Sequence, residues 1–150
     1  MTASLQTLLA LTARFWVNVQ GVDLGGWARC KGLEVTFNSV PVTDGGNYQY
    51  QTVLPGEIKY SKVVLERAIS KDDTKKVLGW LQERAAHWID GHKSGGGGHA
   101  TIILFDSKGG EVTRWMLRNV YPESWKGPDL DANSVGVAME QLVLVHEGFL

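Results

Sequence analysis

The chain has 150 residues, 43% of them hydrophobic and 21% charged, with a formal net charge of −1. That length and apolar content suit a single domain with a full core, and near-neutrality leaves no bulk field to draw in nucleic acid or a membrane surface. The one cysteine, Cys30, excludes an internal disulfide, and with no nucleophile motif around it reads as a small core or interface residue.

The chain opens on "MTASLQTLLALTA", whose apolar stretch Leu5–Leu11 lacks the basic flank of a signal peptide, the first cation being Arg14. A single domain over residues 1–150 is expected, with an N-terminal arm or short capping helix over residues 1–13 and the folded part over residues 14–150. No run approaches the ~20 apolar residues of a membrane span. "RFWVNVQGV" alternates as a strand, with Phe15, Val17 and Val19 on one face and Arg14, Trp16, Asn18 and Gln20 on the other. "LEVTFNSVPV" alternates too, with Val35 and Phe37 opposite Glu34, Thr36 and Asn38. "TDGGN" is turn chemistry, and "YQYQTVL" returns, giving a hairpin over residues 33–54. A Pro-Gly turn at Pro55–Gly56 then leads into another strand, in which Val63, Leu65, Arg67 and Ile69 share a face.

One helix is predicted, near residues 72–90. Val77, Leu78, Leu81, Ala85, Trp88 and Ile89 gather on one side at helical spacing, with Trp80 on the shoulder of that face and free to meet another surface. Asp72 and Asp73 suit its first turn, and Gly91 its stop. "HKSGGGGHA" reads as a flexible loop; without Gly-Lys-Ser/Thr and an opening helix it is no Walker site. "ATIILFD", "SKGG" and "EVTRWMLRNVYP" form a second hairpin. Val135–Phe149 reads as a long final strand, apolar on both faces, with Val137, Met139, Val143 and Val145 on one and Ala138, Leu142 and Leu144 on the other. The sum is a mainly β fold, a sandwich or barrel of antiparallel strands with one packed helix.

The chemical motifs are weak. In "DLDANSVGVAME", Asp129, Asp131, Asn133 and Glu140 fall at EF-hand positions one, three, five and twelve. The turn glycine is replaced by Ser134, however, and Pro128 stands where a helix should end. His87, His92, His99 and His146 lack zinc-ligand spacing. Ser124 and Ser134 lack a nucleophile elbow. Glu140 and His146 share a strand face but lie about 20 Å apart along it. No catalytic, metal or cofactor site is therefore expected. Six tryptophans are many for this length. Tryptophan anchors interfaces, and Trp125, flanked by charge, Pro and Gly, fits a core poorly.

The order of these motifs resembles the tail-tube protein family of contractile-tailed phages and of related phage-tail-like contractile injection systems. The resemblance runs through "RFWVNVQGV", "CKGLEVTF", "VTDGGNYQYQTVLPGEIKYSKVVLERAI" and "EVTRWMLRNVYPESWKGPDLDANSVGVAMEQLVLVHEG". The pairing of "LPG-x-x-KY" with "RW-x-x-x-N-x-YP-x-x-W-x-GP-x-L-x-A" and a closing "HEG" is its most specific part. The "SGGGG" segment departs from it.

The resemblance implies a non-enzymatic inner-tube subunit that forms hexameric rings with a shared β-barrel lumen, stacked inside a contractile sheath. The implied partners are other copies of itself, a sheath protein, baseplate or hub and tube-terminating proteins, and cargo in the lumen. Assembly would take place in the cytoplasm, within a virion or phage-tail-like particle. In that setting Glu34, Thr36, Asn38, Gln49 and Gln51 are candidate lumen-facing residues. Asp44, Asn47 and Tyr48 at the hairpin tip are candidates for ring stacking, and Trp80 and Trp125 for subunit contacts. "YPESWKGP" would be a stiff corner before the last strand. The alternatives are a tube-initiating or baseplate paralogue of the same fold, and a small β-barrel that binds an apolar ligand.

Overall fold

The computed structural model describes residues 15–43, 45–46, 49–89, 98–133 and 136–150, the side chain of Ile89 excepted. The N-terminal arm, the tip residues Asp44, Asn47 and Tyr48, and the Ser94–Gly97 stretch lie outside the described residues. Among the described residues, nine strands and one helix follow in order: β1 (Phe15–Val19), β2 (Val22–Trp27), β3 (Arg29–Lys31), β4 (Val35–Val42), β5 (Thr52–Tyr60), β6 (Val63–Ala68), α1 (Lys71–Ile89), β7 (Gly98–Phe105), β8 (Glu111–Lys126) and β9 (Met139–Val145).

Seven strands form an antiparallel sheet in the order β2-β1-β7-β8-β9-β6-β3. Its two ends, β2 and β3, are separated in sequence only by Ala28, whose N–H bonds to Glu66 O at 3.1 Å. One bent strand therefore pairs with β1 on one side and β6 on the other, and the sheet closes on itself. Closure leaves the seven strands few free edges. The 16-residue β8 is shared in the same way, its first half pairing with β7 and its second with β9. Its kink falls at Asn119, which takes φ 51. The inside is filled by Val17, Val19, Leu24, Trp27, Val63, Leu65, Ile102, Leu117, Leu142 and Leu144, all fully buried. The alternation read in the sequence for Val17 and Val19 of β1 and for Val63, Leu65 and Arg67 of β6 is the alternation of this core, whereas Ile69 follows β6 and is exposed.

Four sequence readings are corrected. Pro55–Gly56 is not a turn. β5 runs through both residues, and the β4–β5 register shifts beside them, between Phe37 and Ser39. A bulge tolerates a residue without an N–H. A Cβ on Gly56 would lie 2.4 Å from Asn38 O, so glycine permits the close approach. The second correction is the helix face. The covered stripe is Asp73, Thr74, Val77, Trp80, Leu81 and Arg84; Trp80 is 2% exposed, whereas Trp88 is 72% exposed. The helix packs on β2, and the polar members of its stripe are held by groups on other elements. Third, "YPESWKGP" is no corner: Tyr121–Lys126 continues β8 against β9. Fourth, the last strand is shorter than Val135–Phe149. Glu140, Leu142 and Leu144 are its buried face, while Val137 and Met139 stand exposed.

Candidate assembly surface

β4 and β5 form a separate two-stranded ribbon whose principal contacts are between its own strands. Its cross-strand pairs Phe37–Ile58, Val40–Leu54 and Pro41–Val53 are apolar. Phe37 is 64% exposed, Val53 60% and Ile58 51%, and Val40, Val42, Leu54 and Tyr50 are exposed as well. An isolated two-stranded ribbon is at best marginally stable in water, and contiguous exposed apolar groups mark an interaction site. The apolar alternation at Val35 and Phe37 belongs to a face that the single subunit leaves open.

The predicted lumen residues Glu34, Thr36, Asn38, Gln49 and Gln51 are all exposed. Glu34, Thr36 and Asn38 alternate with Val35 and Phe37, so they share the other face of that strand. Gln49 and Gln51 lie between the paired strands, where Gln51 Nε2 donates to Thr43 Oγ1 at 3.3 Å. The structure thus brings three of the five together and leaves two toward the hairpin tip. Trp80 and Trp125 work inside the subunit. Trp80 belongs to the core, and Trp125 is half-buried on β8, packed against it.

Trp125 leads to a feature that the sequence reading missed. Its Nε1–H donates to Glu140 Oε2 at 3.1 Å, and Thr74 Oγ1 donates to Glu140 Oε1 at 3.2 Å. Arg67 Nε also donates to Glu140 Oε1. The guanidinium reaches Leu24 O at 2.6 Å, Gly26 O at 3.1 Å and Asp73 O at 3.0 Å, and lies 3.9 Å above the Trp27 ring. Arg67 is 4% exposed and Glu140 1%. The network ties β2, β6, β8, β9 and α1 together. Gly25 (φ +84) makes room for it, since a Cβ there would sit 2.8 Å from Asp73 Oδ1. The signal was present in the sequence: an arginine on an otherwise apolar strand face requires a buried acid. With its carboxylate so engaged, Glu140 is unavailable as the twelfth ligand of a calcium loop. Among the described residues no three His, Cys, Asp or Glu side chains could hold a metal ion. No helix among them is long and apolar enough to cross a membrane. Burial pushes the Cys30 thiol up to about 11, away from the thiolate a nucleophile needs.

The closing His-Glu-Gly has a structural account. The bulge at Arg118–Asn119 leaves β8 backbone groups without partners on β7. Residues 147–148 supply them, with Arg118 N donating to Gly148 O at 2.9 Å and Glu147 N to Arg118 O at 2.8 Å. Asn119 Nδ2 donates to Glu147 Oε1 at 2.8 Å. Gly148 takes φ +131, and a Cβ there would lie 2.6 Å from the Tyr60 ring and 2.8 Å from Arg118 Nη2. Gly148→Ala is therefore expected to cost roughly 1–3 kcal/mol of stability through backbone strain; urea unfolding measures it, and an unchanged midpoint would show that the segment relaxes freely.

Residues 11–150 match the family of the T4-like virus tail tube protein gp19. No curated protein sequence matches the chain. Among solved structures, a chain of the anti-feeding prophage baseplate aligns with TM-score 0.66 and 23% identity, over 93% of this chain and 92% of that one. A chain of the sheath–tube complex of the extracellular contractile injection system PVC, in its extended state, aligns with TM-score 0.66 and 19% identity, over 99% and 95%. A chain of the anti-feeding prophage tube-terminating cap aligns with TM-score 0.65 and 20% identity, over 91% and 85%.

Proposed function

We propose, from the premise that this chain belongs to the family of the T4-like virus tail tube protein gp19 and is a structural tube subunit, that it assembles as hexameric rings stacked into the inner tube of a contractile particle. The observation that carries this reading is the apolar β4–β5 ribbon, which stands off a closed barrel and lacks a covering layer in the single subunit. Edge pairing and apolar cover from neighbouring subunits would complete it. The structural relatives belong to assemblies of this kind: a baseplate determined with 6-fold symmetry, a sheath–tube complex and a tube cap. A sheath protein, baseplate and terminator proteins, and cargo in the lumen are the partners in this reading, with assembly in the cytoplasm and no reaction catalysed. The tip around Asp44, Asn47 and Tyr48 would meet the next ring.

Electron microscopy of the purified protein tests the proposal: rings and tubes are expected. A species that stays monomeric at high concentration, even with a baseplate seed, would overturn it. Filament length separates a main tube subunit from a tube-initiating paralogue, which would stop at single rings. A ligand-binding barrel is disfavoured because the described residues fill the barrel's interior with their own side chains.

The lumen assignment has its own test. Glu34, Thr36 and Asn38 would face a wet bore. Cysteine introduced as Asn38→Cys should then react with a small thiol reagent in assembled tubes and resist one too large for the bore. Equal labelling by both would place this face outside.

A further inference from the structure

The histidine of the closing motif is held at both of its ring nitrogens. His146 follows β9 and sits against the end of β5. Its Nε2 lies 3.0 Å from Ser61 O, and Gly148 N–H donates to its Nδ1 at 3.0 Å. A backbone N–H pointing at Nδ1 requires a lone pair there, so the proton must reside on Nε2, where it is donated to Ser61 O. Both ring nitrogens are thus committed to the neutral tautomer. Tyr60 of β5 packs edge-on to the imidazole with centroids 5.6 Å apart, Phe149 lies at 6.1 Å, and Tyr60 and Phe149 meet at 5.2 Å. The three rings join the base of the ribbon to the C-terminal segment.

We infer that His146 is an acid-sensitive latch: protonation at Nδ1 turns the Gly148 contact into two opposed N–H groups, releasing residues 147–150 from β8 and loosening the joint between the β4–β5 ribbon and the barrel. The charged and titratable groups around it favour this response. Arg118 of β8, which donates to Leu150 O, opposes a second positive charge. Tyr60 of β5 presents a ring edge. Glu147 is engaged by Asn119, and Lys62, between β5 and β6, is paired with Glu123 at 2.6 Å. Burial lowers the His146 pKa below its ordinary 6.5, and Arg118 lowers it further, although the bond to Ser61 acts the other way. The unfolded chain therefore takes up this proton first as pH falls. The latch's contribution is complete above about pH 6.5 and is lost between that value and the lower folded-state value.

Hydrogen exchange read by mass spectrometry tests the latch in the full chain at about pH 5 and about pH 7.5, after correction for intrinsic rates. Peptides covering 61–62 and 147–150 should lose protection several-fold at the lower pH in the natural protein. In His146→Gln, which keeps a donor and an acceptor but cannot titrate, protection should not change with pH. Equal protection at both pH values in the natural protein, or the same loss in the variant, would overturn the inference. If the variant fails to fold, nitrogen NMR of the natural protein decides. An unprotonated Nδ1 whose titration moves the Gly148 amide with the same midpoint upholds the latch, and an Nδ1–H tautomer sinks it. An effect on tubes rests further on the assembly reading above. An intact exchange response with acid-indifferent tubes would uphold the latch and count against the ribbon as the assembly element.

Discussion

Arg67→Ala is expected to lower unfolding stability by about 3–5 kcal/mol, the cost of leaving a buried carboxylate without its partner. Natural domains have only about 5–15 kcal/mol in total, so the variant should sit near its unfolding threshold at ambient temperature. The loss has several sources at one place. Glu140 would keep only Thr74 and Trp125 as donors. Leu24 O, Gly26 O and Asp73 O would lose a charged donor, and the Trp27 ring would lose the cation above it. Glu140→Leu alone should also be destabilising, because it takes the carboxylate away from a buried guanidinium that keeps only Leu24 O, Gly26 O and Asp73 as partners. The double variant Arg67→Met/Glu140→Leu should recover much of the loss, since an apolar pair of similar volume replaces an ion pair that had to be desolvated. Urea unfolding of the natural protein, Arg67→Met, Glu140→Leu and the double variant measures the coupling. Strict additivity of the two single costs would show that the residues act separately.

This pair also marks where reading the sequence stops working. Strands β1, β6 and β7 were legible because each is half-buried, and alternation reports a half-buried strand directly; the two hairpins were legible from the turn residues between their strands. Arg67 was placed correctly on the face of Val63 and Leu65, but its partner lies 73 residues away and no local pattern connects them. The helix was found, yet its buried face was misplaced. Composition offered Trp88 and Ala85 for it, whereas the covered stripe includes Asp73, Thr74 and Arg84. Arg84 Nη2 donates to Gln20 Oε1, and Thr74 donates to Glu140. Polar residues become buryable only when tertiary partners exist, and periodicity cannot see those partners. β2 was unread because two adjacent glycines weaken a strand pattern, whereas Gly25 serves as clearance for the Arg67 network. Trp125 looked like a loop anchor through its Pro and Gly neighbours, and its place on a long strand depends on pairing with Leu142. Of the candidate assembly surface, the polar row Glu34, Thr36 and Asn38 was legible. The exposure of the opposite face was not, because an apolar strand face looks the same whether it is covered by its own chain or by another.

That last ambiguity sets the strongest test of assembly. Phe37→Ser/Ile58→Ser removes a cross-strand pair that the single subunit leaves largely in water. Surface changes usually alter stability by no more than about 0.5 kcal/mol, and the lost cross-strand contact adds about 0.2–1 kcal/mol. The isolated subunit should therefore unfold at nearly its natural temperature. In an assembly that covers the ribbon, each of these side chains would contribute roughly 1.5–3 kcal/mol of burial. Removing both should raise the concentration needed for assembly at least about tenfold, a factor that corresponds to about 1.4 kcal/mol. Sedimentation velocity would read the shift as a small species persisting where the natural protein sediments as rings or tubes, and microscopy would show short tubes or none. Thr36→Ser, on the opposite face, should leave assembly close to natural, which separates loss of apolar cover from general disturbance of the ribbon. Long tubes from the double variant at the natural concentration would mean that the exposed Phe37–Ile58 pair stays wet in the particle, and that subunits are joined through another surface.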